Sequence, residues 1–238
     1  MTLRIAVTDP TALRKRCEVT TLRTTYGEPA YEDGAVIPAT SWAEITDETA
    51  HDLTATAARA QDTTLVELVK PPEPADALAT LTDRLGDPDA LHLGQATAPA
   101  AALTTTPNHE TGGHRIGLHV DNWDRLPYAE KHQGRRRLCL NLGPGTRYLL
   151  LGDLDIRAIC RAVHHDYADR YPHTNDLRRY VESGHLVLCY RFRLEPSEGY
   201  IAPTELIPHD GSTQGQPEPS TAAFWLGHWP RGVLPSLA

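Results

Sequence analysis

From about residue 91 onward, the chain changes to short strand-like runs in which apolar and polar positions alternate. These runs are "RIGLHV" (115–120), "RLCLNLG" (137–143), "RYLLLGDL" (147–154), "HLVLCYRFRL" (185–194), "GYIAP" (199–203) and "TAAFWLGHW" (221–229). A period of two bounded by Gly and Pro predicts half-buried strands of a sandwich or barrel. The period turns helical in "DIRAICRAVHHDYADRY" (155–171), where Ile156, Ile159, Val163 and Tyr167 share one face. A shorter helix follows over 175–183, with Thr174 as its expected cap and Gly184 as its stop. Upstream, "LRIAV" (3–7) reads as a strand, and Asp9-Pro10 has the form of a helix start. Residues 24–38 read as turn-rich. Ser41 and Glu44 have capping-box spacing and predict a helix over about 42–60. A second helix is expected over about 75–85, closed by "GDP" (86–88). The expected fold is α+β and mainly β, in a single domain over 1–238. Residues 1–90 form a mixed helical N-terminal layer covering the sheet, and 91–238 form a β core with a helical insertion near 155–183.

Composition narrows the class. A chain of 238 residues, 40% hydrophobic, is long enough to bury a substantial core. Its net charge of −8 argues against nucleic acid, which needs clustered Lys and Arg. No apolar run approaches the length of a membrane span, and "MTLRIAVTDP" lacks the apolar centre of a secretory signal. A cytoplasmic protein without membrane contact is the expectation. Cys17, Cys139, Cys160 and Cys189 are scattered, which fits reduced buried thiols better than a disulfide frame or a zinc ribbon.

The chemistry concentrates at "GLHVDNWDR" (117–125). Residues two apart in a strand face the same side, so His119 and Asp121 can aim at one point while Leu118 and Val120 pack the other. The alternative is a hydrogen-bonded pair at a strand end. A third ligand must come from far along the chain. His209 follows a turn ("EPSEG") and a short strand ("GYIAP"); His185 and His228 are the competing histidines. His164 and His165 are adjacent on a helix and point about 100° apart, so they read as packing or surface residues. "NHETGGH" (108–114) reads as a loop leading to the pocket.

Together, "HVD" and "PHDGS" (208–212) resemble the Fe(II)/2-oxoglutarate-dependent dioxygenases over roughly 91–230. That resemblance implies a cupin-like double-stranded β-helix (a jelly-roll barrel) with His119, Asp121 and His209 as the Fe(II) ligands. It implies 2-oxoglutarate as co-substrate and O2 as oxidant. An aspartate at the second ligand position implies hydroxylation or desaturation rather than halogenation. The family's usual arginine about ten residues after the distal histidine is absent: "QPEPST" (216–221) stands there. Jumonji-like relatives carry the basic residue on the strand after HxD, and Arg137 suits that role, with Asn141 at the same parity. Arg147, Arg191, Arg193 and Arg231 remain alternatives. Glu205 shares strand parity with His209 and is a candidate for meeting a substrate ammonium, with a solvated glutamate as the bland reading. Trp123 either walls the pocket mouth or packs in the core. The expected substrate is a small molecule, amino-acid-like or a natural-product intermediate; oligomeric state is not readable. Two competing functions are a cupin-like Fe(II) oxygenase that dispenses with 2-oxoglutarate and a non-catalytic β-barrel binding protein.

Overall fold

The structure is a computed structural model and describes residues 3–39, 41–55, 64–71, 85–109 and 112–237. It is mostly β, 38% strand against 17% helix, and its strands form a nearly closed barrel. The first sheet runs in the order β5 (Thr54–Ala55), β1 (Arg4–Ala6), β6 (Leu65–Val69), β12 (Gly199–Ala202), β9 (Arg136–Pro144), β14 (Ser220–Gly227), β7 (Leu91–Ala98). The second runs β13 (His209–Ser212), β10 (Arg147–Gly152), β11 (Leu188–Leu194), β2 (Cys17–Thr24), β3 (Tyr31–Pro38), β8 (Arg115–Gly117), with β4 (Ala43–Glu44) paired to β2.

The period of two sorts side chains into layers. Leu149 and Leu151 of β10 join Phe192, Leu194, Leu68, Cys139, Tyr200 and Ala222 in the interior cluster. Leu150 and Cys189 turn the other way and pack under α3 (Ile156–Val163) and α4 (Thr174–Glu182) through Ile156, Ile159 and Leu177. Leu138, Leu140, Ile201, Ala223 and Trp225 form a third cluster on the outer face of the first sheet. Each fully buried Leu or Ile contributes about 1.5–3 kcal/mol. All four cysteines are free and buried, in keeping with reduced thiols.

Several elements differ from expectation. Residues 24–38 are mostly strand rather than turn, because β3 is recruited from both sides by β2 and β8. The helix expected from 42 begins at Asp47: Ala43 and Glu44 pair with β2, and Thr46, not Ser41, caps α2 (Asp47–Leu53). Residues 56–60 of that expectation and nearly all of the 75–85 helix lie outside the described residues. Nor is the described part of 1–90 a helical layer. Its elements with described bounds are the short α1 (Pro10–Arg14) and α2, with Leu85 closing a helical turn, while β1, β5 and β6 extend one sheet and β2, β3 and β4 the other. The 155–171 helix stops at Val163, where His164 turns extended and its Nε2 meets Asp176 at 2.8 Å. The cap of α4 is His173 rather than Thr174; the Thr174 hydroxyl instead bonds the backbone N–H and C=O of Val120. The helical insertion is thereby fastened to the middle residue of "HVD". Among the described residues no helix is long and apolar enough to cross a membrane.

Candidate metal centre

His119 and His209 stand ninety positions apart and face each other as an isolated antiparallel bridge. His119 N–H donates to His209 O at 3.0 Å, and His209 N–H donates to His119 O at 2.8 Å. The backbone therefore sets the rings side by side, with centroids 4.5 Å apart. Asp121 is fixed by its own N–H, which donates to Thr204 O at 2.9 Å. Gly117, with φ +71, lets β8 run close against β3 just before His119: a Cβ there would run into Val36 O.

The ligand atoms of His119, Asp121 and His209 all fall within 4.8 Å of one another, and all three residues are buried. His119 Nδ1 lies 3.0 Å from Gly117 O, and His209 Nδ1 lies 3.1 Å from Ile207 O. A carbonyl only accepts, so each Nδ1 carries the proton and each Nε2 turns its lone pair toward the centre. His209 Nε2 and Asp121 Oδ2 are buried without a hydrogen-bond partner. Leaving His209 Nε2 unpaired costs about 1–3 kcal/mol, a cost that a cation at the centre removes; Asp121 Oδ2 has the Arg137 charge beside it at 2.8 Å. Burial pushes the His209 imidazole down to about 3, so it is neutral and ready to coordinate. Burial alone would raise Asp121, but the Arg137 guanidinium beside it leads the opposing influences and the carboxyl is held below its ordinary range. Arg137 Nη2 stands 2.8 Å from both carboxylate oxygens and is aligned to donate to Oδ1, so it balances the charge of Asp121 while Oδ2 keeps lone-pair capacity toward the centre. Two imidazoles and one carboxylate on one face suit a divalent transition metal with open positions opposite.

The loop after Asp121 is held by a buried ion pair. Lys131 Nζ, fully buried, donates to Glu205 Oε2 at 2.7 Å, to Asn122 Oδ1 at 3.1 Å and to Asp121 O at 3.4 Å. Glu205 Oε1 accepts the N–H groups of Trp123 (2.6 Å) and Asp124 (3.3 Å). The ammonium that Glu205 meets is therefore the protein's own, and Glu205 does not line the cavity beside the centre. Trp123 neither packs in the core nor lines that cavity; it is 55% exposed. Lys131 escaped the sequence reading. One signal was available: it is one of three lysines in a chain with twenty arginines, placed where a compact point charge must serve three acceptors.

A cavity of about 630 Å³ lies against His209 and is lined by Arg115, Arg137, Arg147, Tyr200, Asp210 and Phe224, among others. Arg137 enters it, but its charge is directed to Asp121. Asn141 does not reach it as a polar group. Its Nδ2 donates to Gly145 O and Leu194 O, both at 3.0 Å, while its Oδ1 accepts from Gly143 N and Ser220 Oγ. All its capacity is used inside the fold, so the co-substrate role expected of it is withdrawn. Arg147 is different. It is 4% exposed, makes no ion pair among the described residues, and its buried Nη1 has no partner. It runs past Gly211, where a Cβ would stand 2.5 Å from its Nη2. Arg191 is committed to Glu18 and stacked between Trp42 and Tyr148, and Arg193 pairs with Glu195. His185 stacks on Tyr180 and His228 is exposed, so neither joins the triad.

No protein-family model matches this chain, and no curated protein matches it.

Proposed function

We propose that the protein is a mononuclear non-haem iron oxygenase that uses 2-oxoglutarate and O2 to hydroxylate or desaturate a small molecule. The observation that carries this reading is the convergence of the buried His119, Asp121 and His209 ligand atoms on one point, with His209 Nε2 lacking any hydrogen-bond partner. Sheet order supports a double-stranded β-helix as the frame. Successive strands β7, β9, β12 and β14 fall in one sheet, and the intervening β8, β10, β11 and β13 in the other. Arg147 supports the choice of co-substrate. A buried guanidinium with no counterion is costly, and a carboxylate bound to its fork removes that cost.

Bound Fe(II) supplies the activation of O2 and the decarboxylation of 2-oxoglutarate to succinate and CO2, with one oxygen atom left for the substrate. The chain's own residues do the rest. His119, Asp121 and His209 occupy one face, leaving the other to a chelating keto acid and O2. Arg147 orients the far carboxylate of 2-oxoglutarate, and the low dielectric around it strengthens that contact. Arg137 holds the Asp121 carboxylate in its rotamer. The test is an anaerobic titration: Fe(II), then 2-oxoglutarate, with the visible charge-transfer band of the chelated keto acid as readout. Wild type is expected to give a saturable band, and Asp121→Ala neither the band nor Fe(II) binding. Iron binding without a band would move the reading to an Fe(II) oxygenase that dispenses with 2-oxoglutarate. No iron binding would leave a β-barrel binding protein.

A further inference from the structure

The cavity beside His209 differs in charge from the rest of the molecule. The chain carries a net −8, yet the described lining holds three arginines against one aspartate. Two of the arginines are accounted for: Arg137 by Asp121, and Arg147 by the far carboxylate of 2-oxoglutarate. The third, Arg115, makes no ion pair among the described residues. Its backbone is fixed where β8 meets β3, with Tyr31 directly opposite, and its guanidinium lies over the Tyr31 ring at 5.9 Å. Stacking on a ring face leaves the in-plane N–H groups free to grip an anion. Arg115 is half-buried and stands with exposed Gln95, Thr97 and His109, whereas Arg147 and His209 are buried. The cavity therefore has an inner and an outer cationic end. The one acidic residue does not offset the outer end. Asp210 Oδ1 is taken by Thr106 Oγ1, Thr105 N and Gly211 N, and its Oδ2 is sealed from solvent. At about 630 Å³ the space exceeds what one keto acid fills.

We infer that the substrate is a small organic anion whose carboxylate or phosphate group is held by Arg115 at the outer end of this cavity. Arg115 is then a specificity-determining residue, and a cationic amine is disfavoured. The inference rests on the oxygenase reading only for assigning Arg147 to 2-oxoglutarate.

The experiment is a binding screen of short-chain carboxylates, phosphate monoesters and primary amines, by melting temperature and then calorimetry. It is run on protein holding Mn(II) and 2-oxoglutarate, and on the variants Arg115→Gln, Arg115→Lys and Arg147→Gln. Anions are expected to stabilise wild type and amines not to, with the ranking of carboxylates against phosphate esters identifying the group. Arg115→Gln is expected to weaken the anion hits about tenfold or more while 2-oxoglutarate affinity stays unchanged. Arg115→Lys should retain part of the affinity, separating charge recognition from misfolding. Arg147→Gln should show the reverse pattern. Amines binding better than anions, no anion binding, or anion affinity indifferent to Arg115→Gln would each overturn the inference. Failure of 2-oxoglutarate to bind wild type, with anion binding still dependent on Arg115, would overturn the co-substrate reading and leave this one standing.

Discussion

At the scale of single residues, Gly211 governs what Arg147 can do. A Cβ at this position would stand 2.5 Å from both Arg147 Nη2 and Thr105 Oγ1, so Gly211→Ala must push the guanidinium out of its present path. The expected result is a loss of 2-oxoglutarate affinity of about tenfold, with Fe(II) affinity little changed, since His209 keeps its bridge to His119. Calorimetric titration of each ligand against the variant checks both halves. That His119 and Asp121 share one side was legible, because strand alternation and a local motif suffice to pair them; that His209 joins them depends on the bridge between distant strands. The choice between Arg137 and Arg147 was not legible. Both enter the cavity, and what separates them is that Asp121 captures one while no acidic group among the described residues pairs with the other. That depends on which segments the fold sets side by side. Glu205 was misread for the same reason, since its partner Lys131 lies 74 positions away and only the fold sets the two side by side.

At the scale of elements, the loop from Asp121 to Gly134 is held by that partner. Lys131→Met leaves Glu205 buried and unpaired against two backbone N–H groups and should destabilise the protein by about 3–5 kcal/mol. Fe(II) affinity should fall as well, because Lys131 also donates to the backbone oxygen of Asp121. The double variant Lys131→Met/Glu205→Met should recover most of the stability; chemical denaturation of the three proteins tests this. Strands after residue 115 were readable because their alternation is regular and Gly or Pro bounds them. β3 was not, since only Ala35–Ile37 within it is continuously apolar and its other half is held by neighbouring strands. Helix ends were misjudged where a side chain found a better partner, as His164 did with Asp176 and Thr174 with Val120.

At the scale of the whole molecule, the buried centre should couple stability to pH. His209 titrates at about 3 in the metal-free fold, against about 6.5 in an unfolded chain. Below pH 6.5 the unfolded state therefore binds a proton that the folded state refuses. This contribution to stability is fully present above about pH 6.5 and is lost as pH falls toward 3, at up to about 1.4 kcal/mol per pH unit. Replacing His209 with Gln should remove that part of the slope, which denaturation series at pH 7, 6 and 5 will read. The mainly β frame could be anticipated from its strand periods; the joining of strands from residues 1–90 to both sheets could not, because pairing partners are chosen by the assembled barrel. The His119–His209 bridge has one more consequence, for the chain during its synthesis. A nascent chain that has not yet reached residue 209 offers a cation only the two groups of "HVD", with no partner strand behind them. Domains mature as the ribosome delivers them, N-terminal parts first. If the centre holds iron as proposed, tight capture has to wait until β13 has docked, and the iron content of a preparation is expected to count finished barrels and pass over truncated ones.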